Sequence, residues 1–457
     1  MTEVERMAAW VVSARGETMS GDARTQLKLR LLDGLGCGIG ALDGEPIAML
    51  RAHLADFGGA ALCGLIGGGA TAPDRAALYN GACIRYLDYN DSYLAKKETC
   101  HPSDNIAPIL AAAEYANASG ETFLTALAVA YQVHCRLSDV APVRAKGFDH
   151  TTQGSYAVAA GCARALGLDA AKTANAIAIA GTAFNALRVT RTGALSHWKG
   201  LAYPNTAFCG THAAFLAMRG ITGPAEVFEG NKGFKDAIAG HFDLDWAAED
   251  LERVRTTIIK KYNAEIHSQC SIEGALALKK EHGFAAAVID RIKIDTFDVA
   301  FHIIGGGEEG DKTTIRTKEE ADHSLHYMVA VALLDDGVYP PQYAPERIVR
   351  DDVQSLLRRV TVRENPAYSA RFPNEMVTKV KIHLRNGKTV EREQNSYEGF
   401  HSHPMSPATV EAKFTRLAEP YAGAALRKDI VAAVLDIERL QVRNLTALLG
   451  KVGKESK

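Results

Sequence analysis

Through the first 255 residues or so, apolar positions recur at spacings of three and four, the period of an amphipathic helix. The pattern runs through TQLKLRLLDGLGCGIGAL (25–42), ETFLTALAVAYQVHCRL (121–137), YAVAAGCARALG (156–167) and DAAKTANAIAIAG (169–181). Asp169 is predicted to cap the last of these helices and Gly181 to end it. The many alanines and glycines predict helix axes that lie close together in a compact bundle.

After residue 257 the pattern changes to the alternation that is typical of strands. RIKIDTFDVAFHI (291–303) and RRVTVREN (358–365) alternate, and MVTKVKIHLRNGKTVEREQ (376–394) holds two alternating runs joined by Asn386-Gly387, a strong hairpin signal. Residues 321–337 have helical spacing, and helical spacing returns from about residue 406. The sequence therefore predicts an α+β unit with a small antiparallel sheet, inserted into a mainly α chain.

These patterns predict three ranges. An all-helical domain spans residues 1–257, an α+β domain spans 258–400, and residues 401–457 are helices that return to the helical domain. The helical domain would thus be formed by both ends of the chain.

Composition narrows the functional class. The chain is 47% hydrophobic with a formal net charge of -2, so nothing indicates a nucleic-acid or membrane-surface partner. The eight cysteines are scattered singly, which favours reduced thiols. The acidic start MTEVERMAAWVVSARG does not fit a secretory signal, and no apolar run is long enough to span a bilayer. A cytoplasmic protein is expected.

Polar groups gather in LDYNDSYLAKKETCHPSDN (87–105), between two apolar runs, so this stretch is predicted to lie where two helices meet. Asp88 and His101 are the pair of interest, because a carboxylate beside an imidazole fixes the ring tautomer and raises its basicity. The alternative is structural: Asp88 and Asp91 cap a helix end, and His101 packs against the proline that follows.

Three further segments carry candidate chemistry. AKGFDHTTQGSYA (145–157) places His150 beside Asp149, although Asp149 or Thr151 could simply cap a helix with His150 exposed. NALRVTRTGALSHWKGLAYPN (185–205) carries cations with no acidic neighbours in the sequence, a pattern that suits substrate carboxylates, although these cations could simply lie exposed at the surface. TTIIKKYNAEIHSQ (256–269) adds further charged groups at the predicted domain junction. The charged groups of the last two segments are Arg188, Arg191, His197, Lys199, Lys260, Lys261, Glu265 and His267.

A metal-binding site is the main alternative interpretation of the acidic residues. Asp88 and Asp91 could hold Mg²⁺ through a D-x-x-D arrangement on a helix, but no second acid-rich segment is evident. The sequence has no H-E-x-x-H motif, no clustered Cys/His set and no nucleotide-binding loop. We therefore expect a site without metal or cofactor. A helical interaction protein with a decayed site is the other rival.

Several of these segments together resemble the MmgE/PrpD family. The shared marks are LLDGLGCGIGAL, NGACIRYLDYNDSY running into HPSDN, GFDHTT, SHWKG, AEIHSQ and DHSLHYMVAVALLDDG, which span about residues 20–430. The resemblance implies an all-helical domain with an inserted α+β lid, and a homodimer.

The resemblance also implies the site residues. Asp88, His101, His150, Lys199, Lys260 and Tyr327 fall on catalytic positions of the family, and Ser92, Arg188, Arg191 and His267 are assigned to substrate binding. Lys260 is preferred to Lys261 because the family lysine more often stands two positions before the aromatic residue, here Tyr262.

The activity that the resemblance implies is a metal-independent lyase. It would dehydrate 2-methylcitrate, or a related 2-hydroxy tricarboxylate, to 2-methyl-cis-aconitate by acid/base catalysis, with a small polycarboxylate as its partner. His101 and His150 would be the acid and the base in an order that the sequence leaves open, and Tyr327 would donate from the lid. Decarboxylation of cis-aconitate and epimerisation of a small dicarboxylate are the alternatives within the family.

Overall fold

A computed structural model describes residues 1–453 of the chain, and it is mostly helical with small sheets, as predicted. The helices are α1 Glu3–Ser13, α2 Gly21–Gly40, α3 Glu45–Phe57, α4 Pro73–Tyr86, α5 Ile106–Tyr115, α6 Gly120–Val140, α7 Thr151–Ala165, α8 Ala170–Ala183, α9 Trp198–Met218, α10 Gln269–His282, α11 Asp298–Ile304, α12 Lys318–Ala321, α13 Leu325–Asp335, α14 Pro345–Ile348, α15 Asp351–Leu357, α16 Pro366–Ser369, α17 Pro407–Ala418, α18 Ala424–Leu435 and α19 Val442–Leu449. The strands are β1 Cys63–Gly64, β2 Ala70–Thr71, β3 Tyr93–Leu94, β4 Thr99–Cys100, β5 Ile289–Thr296, β6 Val360–Glu364, β7 Thr378–Leu384 and β8 Thr389–Gln394.

The chain divides into two compact units. The first unit contains Met1–Arg188, Gly200–Thr257 and the chain from Ser406 onward, and the second contains Val189–Lys199 and Ile258–Met405. The predicted role of the α+β part as a lid stays a prediction.

Close helix packing in the first unit depends on glycines in α2. A Cβ atom on Gly36 would lie 3.2 Å from the Cα atom of Phe414 in α17, and one on Gly40 would lie 3.2 Å from a side-chain carbon of Leu417. Both distances are tighter than ordinary van der Waals contacts, so a larger residue would push α17 away. This agrees with the expectation that small residues bring helix axes together.

The predicted helix ends in this unit are close to the observed ones. The side chain of Asp169 accepts a hydrogen bond from the backbone N–H of Lys172 at 2.8 Å, which confirms the predicted cap of α8. The helix ends at Ala183, two residues beyond the predicted stop at Gly181.

The four-stranded sheet of the second unit is mixed, which corrects the predicted antiparallel sheet. Its strand order is β6-β5-β7-β8, with β5 and β6 parallel and the other two pairs antiparallel. Residue alternation indicates a strand but not the direction of its neighbour. Here the chain between β5 and β6 passes through several helices, and such a crossover returns the strand in parallel.

The local sequence predicted the turn of this sheet correctly and the element boundaries only approximately. The predicted hairpin is confirmed: β7 and β8 flank Asn386 and Gly387, and Gly387 has a φ of +85°, a conformation that glycine adopts without strain. The predicted strand at 291–303 ends at Thr296, after which Asp298–Ile304 forms α11. The helix predicted at 321–337 begins at Leu325, where the hydroxyl of Ser324 accepts from the N–H of Tyr327 at 3.0 Å.

All eight cysteines are free thiols, and only Cys209 is not buried. Within residues 1–453, no helix combines the length and apolarity needed to cross a bilayer.

Within the first unit, a buried ion pair joins the C-terminal helix α17 to α2. Nζ of Lys413 in α17 lies 2.6 Å from a carboxylate oxygen of Asp33 in α2 and donates to the backbone oxygen of Tyr89 at 2.8 Å. The side chain of Lys413 is 7% exposed and that of Asp33 is 1% exposed. Burial raises the pKa of Asp33, and Lys413 opposes that rise.

Replacing Lys413 should therefore destabilise the protein in a pH-dependent way. Lys413→Met leaves a buried carboxylate without its cation, so we expect a loss of about 3 kcal/mol or more in the free energy of unfolding. Burial raises the pKa of Asp33 and Lys413 lowers it, so the pKa of Asp33 in the folded variant lies above that in the folded parent. Protonation of Asp33 at low pH then removes the unpaired charge from the variant. The loss should thus be smaller near about pH 5 than near about pH 8. Denaturant unfolding measures both values.

The control is Lys428→Met, which changes an exposed lysine of α18. It should alter stability by no more than about 0.5 kcal/mol at either pH. Equal losses for the two variants would show that the ion pair does not anchor α17.

Candidate active site

The polar segment between α4 and α5 is buried rather than exposed. It follows the end of α4 at Tyr86 and leads into α5 at Ile106, so the prediction that it lies between two helices is confirmed. Its buried polar residues are Asp88, Asn90, Asp91, Ser92, Glu98, His101, Ser103, Asp104 and Asn105. Polar groups at this depth require hydrogen-bond partners, and those partners define the geometry of the site.

Arg85, in the last turn of α4, anchors two carboxylates of the segment. Its Nη1 lies 2.6 Å from Oδ1 of Asp88, and its Nε lies 3.6 Å from Oδ2 of Asp104. Asn90 donates to Oδ1 of Asp104 at 2.8 Å and to the hydroxyl of Ser103 at 2.9 Å. Burial raises the pKa of Asp104 to about 7, although Arg85 opposes the rise.

Asp91 holds this segment in place through two hydrogen bonds. Its Oδ1 accepts the backbone N–H of Ser103 at 2.9 Å, and its Oδ2 accepts the hydroxyl of Tyr131 at 2.8 Å. Asp88 and Asp91 follow the end of α4, so the D-x-x-D arrangement on a helix that a magnesium site would use is not formed. Both oxygens of Asp91 instead hold the segment against Ser103 and α6.

His101 is oriented by a backbone oxygen and a hydroxyl. Its Nδ1 lies 2.8 Å from the backbone oxygen of Asp91 and 3.0 Å from Oγ of Ser92. A carbonyl oxygen can only accept, so Nδ1 carries the proton of the neutral ring and Nε2 carries the lone pair. The sequence predicted a carboxylate for this orienting role, with Ser92 on the substrate. Asp88 lies against Arg85, and the hydroxyl of Ser92 lies against His101. The predicted roles of Asp88 in orienting His101 and of Ser92 in binding substrate stay predictions.

His150 stands immediately before α7 and has a carboxylate partner. Its Nδ1 lies 3.2 Å from Oδ1 of Asp149, and Oδ2 of Asp149 lies 3.5 Å from Nη1 of Arg188. The backbone N–H of Thr151 also donates to Asp149 at 3.3 Å, so Asp149 contacts both the first residue of α7 and the imidazole. The alternative in which His150 is exposed is wrong, because the residue is only 3% exposed.

The structure brings His101 and His150 together. Their ring centroids are 5.5 Å apart and their planes are inclined by 72°. Two predicted site residues that are 49 positions apart in the sequence thus lie side by side within the first unit.

The sequence missed two buried groups beside this pair. His134 in α6 is fully buried, and its ring stacks on that of His150 at 6.3 Å between centroids. Glu98 accepts the backbone N–H groups of Thr99 and Arg144, and burial raises its pKa to about 7 against the opposing charge of Arg188. The available signal for His134 was a titratable side chain inside the apolar run AVAYQVHCRL.

The predicted cations of the second unit have acidic partners that the local sequence did not show. Nζ of Lys199 lies 2.8 Å from Oδ1 of Asp322, and Oδ2 of Asp322 lies 2.7 Å from Nζ of Lys318. Nδ1 of His323 lies 2.7 Å from Oδ1 of the same carboxylate. Although burial alone would raise it, the two lysines hold the pKa of Asp322 well below its ordinary value. One buried carboxylate thus contacts two ammonium groups and an imidazole.

Lys260 and Lys261 differ sharply in their surroundings. Lys260 is fully buried and acts electrostatically on Glu265, whereas Nζ of Lys261 lies 2.8 Å from Glu273 and its side chain is 32% exposed. Lys260, the lysine chosen from the sequence, is the more deeply buried of the two, and its role in the site stays a prediction.

His267 forms a second carboxylate–imidazole pair in the same unit. Its Nδ1 lies 2.7 Å from Oε1 of Glu265, and this contact holds the pKa of Glu265 below its ordinary value although burial opposes it. The ring packs against Phe297 and Phe372.

Arg191 and Tyr327 are the two predicted site residues that remain. Nη1 of Arg191 lies 3.5 Å from the backbone oxygen of Lys199. The hydroxyl of Tyr327 donates to the backbone oxygen of Gln342, and burial raises the pKa of Tyr327. Tyr327 belongs to the apolar core of the second unit, so its described contacts indicate a structural role, and its catalytic role stays a prediction.

Comparison with known proteins agrees with the resemblance. A family model for the MmgE/PrpD N-terminal domain matches residues 5–247, and one for the MmgE/PrpD C-terminal domain matches residues 262–437. The chain is 29% identical to 2-methylcitrate dehydratase of Cupriavidus necator, an alignment that covers 93% of this chain and 92% of that protein. It is also 29% identical to 2-methylcitrate dehydratase of Salmonella typhimurium, with 75% and 74% covered.

A relative with a different activity is similar as well. Cis-aconitate decarboxylase of Mus musculus is 25% identical, with 81% of this chain and 76% of that protein covered. Because the two family models together match most of the sequence, the chain belongs to the MmgE/PrpD family.

Proposed function

We propose that the protein is a hydro-lyase that dehydrates 2-methylcitrate, or a related 2-hydroxy tricarboxylate, to 2-methyl-cis-aconitate. The observation that carries the proposal is the buried pair of imidazoles, His101 and His150, 5.5 Å apart. Elimination of water removes a proton from one carbon and expels hydroxide from the next, so it needs a base and an acid close together. The names of the relatives supply the substrate class.

His101 is assigned the role of base. With the proton on Nδ1 held by the backbone oxygen of Asp91, the lone pair of the neutral ring is on Nε2. Nε2 then takes the proton from the carbon next to a substrate carboxylate. Ser92 keeps the ring in this orientation through its hydroxyl, 3.0 Å from Nδ1.

His150 is assigned the role of acid. The carboxylate of Asp149, 3.2 Å from its Nδ1, favours the protonated form of the ring by direct charge attraction. Nε2 of the imidazolium then protonates the departing hydroxyl group. The different partners of the two rings, a neutral carbonyl and a carboxylate, are what separate the two roles.

The cations are assigned to the carboxylates of the substrate. Lys199 and Lys318 place two ammonium groups against the buried carboxylate of Asp322, and ammonium groups held at this depth are suited to binding a carboxylate of the substrate. Lys260, Arg188, Arg191 and His267 complete the proposed binding set. Cations near the carboxylate that gains charge in the transition state would stabilise it by about 3 kcal/mol each in a site that excludes water.

The proposal includes catalysis without a metal, because these cations can supply the charge stabilisation that a Lewis acid would give. Full activity after exhaustive treatment with a chelator is the expected result. Activity that is lost with chelator and restored by Mg²⁺ would contradict this part of the proposal.

Decarboxylation of cis-aconitate is the second candidate, and the similarity to the mouse decarboxylase favours it. The purified, chelator-treated protein should be assayed with 2-methylcitrate, citrate and cis-aconitate. A new ultraviolet absorbance from a conjugated double bond identifies dehydration, and release of carbon dioxide identifies decarboxylation. Entry of solvent deuterium into otherwise unchanged substrate would indicate an epimerase. No change in any substrate would favour an interaction protein with a decayed site.

Two accompanying expectations concern the whole protein. A homodimer is proposed from the family resemblance, and light scattering of the purified protein tests it. A cytoplasmic location is also expected and stays a prediction.

Replacing either central histidine should abolish most turnover without unfolding the protein. In His101→Asn and His150→Asn, the amide nitrogen takes the place of Nδ1, so the contacts to Asp91 and Asp149 can persist while Nε2 is lost. We expect kcat to fall by about 100-fold or more, with a thermal midpoint within a few degrees of the parent. His212→Asn, at a side chain that is 51% exposed, is the control and should keep full activity. Parallel loss of folding and activity would make the two histidines structural.

The two adjacent lysines of the second unit offer a matched test of substrate binding. Lys260→Met removes a buried cation, and we expect kcat/KM to fall by about 100-fold, since a charged contact to a carboxylate is lost. Lys261→Met removes only the partly exposed pair with Glu273, so kcat/KM should change by less than about threefold. Steady-state kinetics on the dehydration substrate decides between them. A larger effect at Lys261 would reverse the assignment.

A further inference from the structure

His134 is a titratable group that the proposed mechanism does not use. It lies in α6 among buried apolar residues, and its relative exposure is 0%. A leucine or phenylalanine would fill this position in a helical core without introducing a polar group. The presence of an imidazole therefore calls for an explanation in terms of its neighbours.

A hydrogen-bond network fixes the orientation of this ring. The amide nitrogen of Asn105 donates to Nδ1 of His134 at 3.3 Å and to the backbone oxygen of Pro102 at 3.0 Å. The hydroxyl of Tyr203 donates to the amide oxygen of Asn105 at 2.9 Å, which sets the direction of the amide. Nδ1 of His134 is thus an acceptor, and the neutral ring carries its proton on Nε2.

That proton forms no hydrogen bond of good geometry, although the side chain of Cys100 and the backbone of His150 are near enough to raise the pKa of the ring. Among residues 1–453, Nε2 of His134 has no partner at hydrogen-bonding geometry, and the atom is buried. A buried donor without an acceptor costs free energy on folding. Stability alone therefore does not account for histidine at this position.

The ring instead forms part of an aromatic group that surrounds the proposed acid. His134 and His150 stack with their planes 17° apart, and Tyr203 lies beside both, at centroid distances of 5.5 Å from His134 and 6.2 Å from His150. The side chain of Asn105 also connects two of these rings, because it forms hydrogen bonds with both His134 and Tyr203.

Charged neighbours act on the ring from β4 and from the turn before α5. Burial opposes a charge on His134, but negative charge at Cys100 and Asp104 raises its pKa. In turn, His134 and Cys135 lower the pKa of Cys100 to about 6 although burial opposes it. His134 therefore retains a proton to higher pH than an ordinary histidine.

We infer that His134 is a positioning residue that holds the imidazole of His150 in register with His101. Its ring supports one face of His150, and its bond to Asn105 ties that face to the turn that follows His101. This inference rests on the proposed function, since it assigns His134 to the same acid/base pair. His134 contacts no substrate in this scheme and acts only through His150.

The test is His134→Phe, which preserves a flat ring but removes both ring nitrogens. We expect kcat to fall roughly 10- to 100-fold with KM nearly unchanged, because misplacing a catalytic group by a small distance has effects of this size. One ionisation with a midpoint above that of an ordinary histidine should disappear from the pH profile. The thermal midpoint should not fall. His134→Gln returns an acceptor oxygen for Asn105 and should recover part of kcat, and it serves if the phenylalanine variant does not fold.

Val133→Ala is the matched control, since it alters a fully buried neighbour in the same helix and should lower the thermal midpoint without changing kcat or the pH profile.

A second readout does not need turnover: NMR titration of the histidine rings in the resting protein should show a displaced His150 signal in His134→Phe but not in the control. If the parent protein shows no dehydration, the proposed function fails while the NMR result still tests the inference. Unchanged kcat, pH profile and His150 signal in His134→Phe would make His134 a core-filling residue.

Discussion

The structure around the proposed acid/base pair depends on satisfying polar groups that are buried in a helical core. Between α4 and α5 the chain places four carboxylates at depth, at Asp88, Asp91, Glu98 and Asp104. Each has a specific donor: Arg85 meets the first and the last, Ser103 and Tyr131 meet Asp91, and backbone N–H groups meet Glu98. Leaving such a group without a partner costs on the order of 1–3 kcal/mol, so this network specifies one conformation of the segment. Asp88, whose φ of +53° is uncommon for a residue other than glycine, is held in that conformation by Arg85.

The orientation of His101 follows from the same network. Its Nδ1 meets the backbone oxygen of Asp91, and the side chain of Asp91 is fixed by Ser103 and Tyr131. The tautomer of the ring is therefore set by residues that touch no substrate in the proposed scheme. The second unit solves a related problem differently, because Asp322 gathers Lys199, Lys318 and His323 around one carboxylate. The first arrangement distributes several donors over several carboxylates, and the second gathers several cationic side chains around one carboxylate.

The sequence predicted those features that depend on neighbours along the chain. Helical periodicity, the Asp169 cap and the Asn386-Gly387 hairpin are local, and all were found. The mixed sheet was missed because alternation carries no information about the direction of a paired strand. The acidic partner of Lys199 is Asp322, 123 positions away, so a cation that looked unpaired in the sequence is paired in the fold. Ser92 was assigned to substrate binding from the family resemblance, and its contact with His101 at 3.0 Å depends on a backbone turn that the sequence pattern did not show.

The proposed separation of roles between His101 and His150 illustrates why motifs alone left the mechanism open. His101 and His150 both precede short polar stretches, and both are buried in the first unit. What distinguishes them is the group that contacts Nδ1. A neutral carbonyl oxygen accepts a hydrogen bond from the ring, whereas a carboxylate also stabilises a positively charged ring. The partner of His101 is supplied by a residue ten positions away, and that of His150 by its neighbour Asp149. An acid and a base can therefore arise from identical residues when the backbone gives one a neutral partner and the other a charged one.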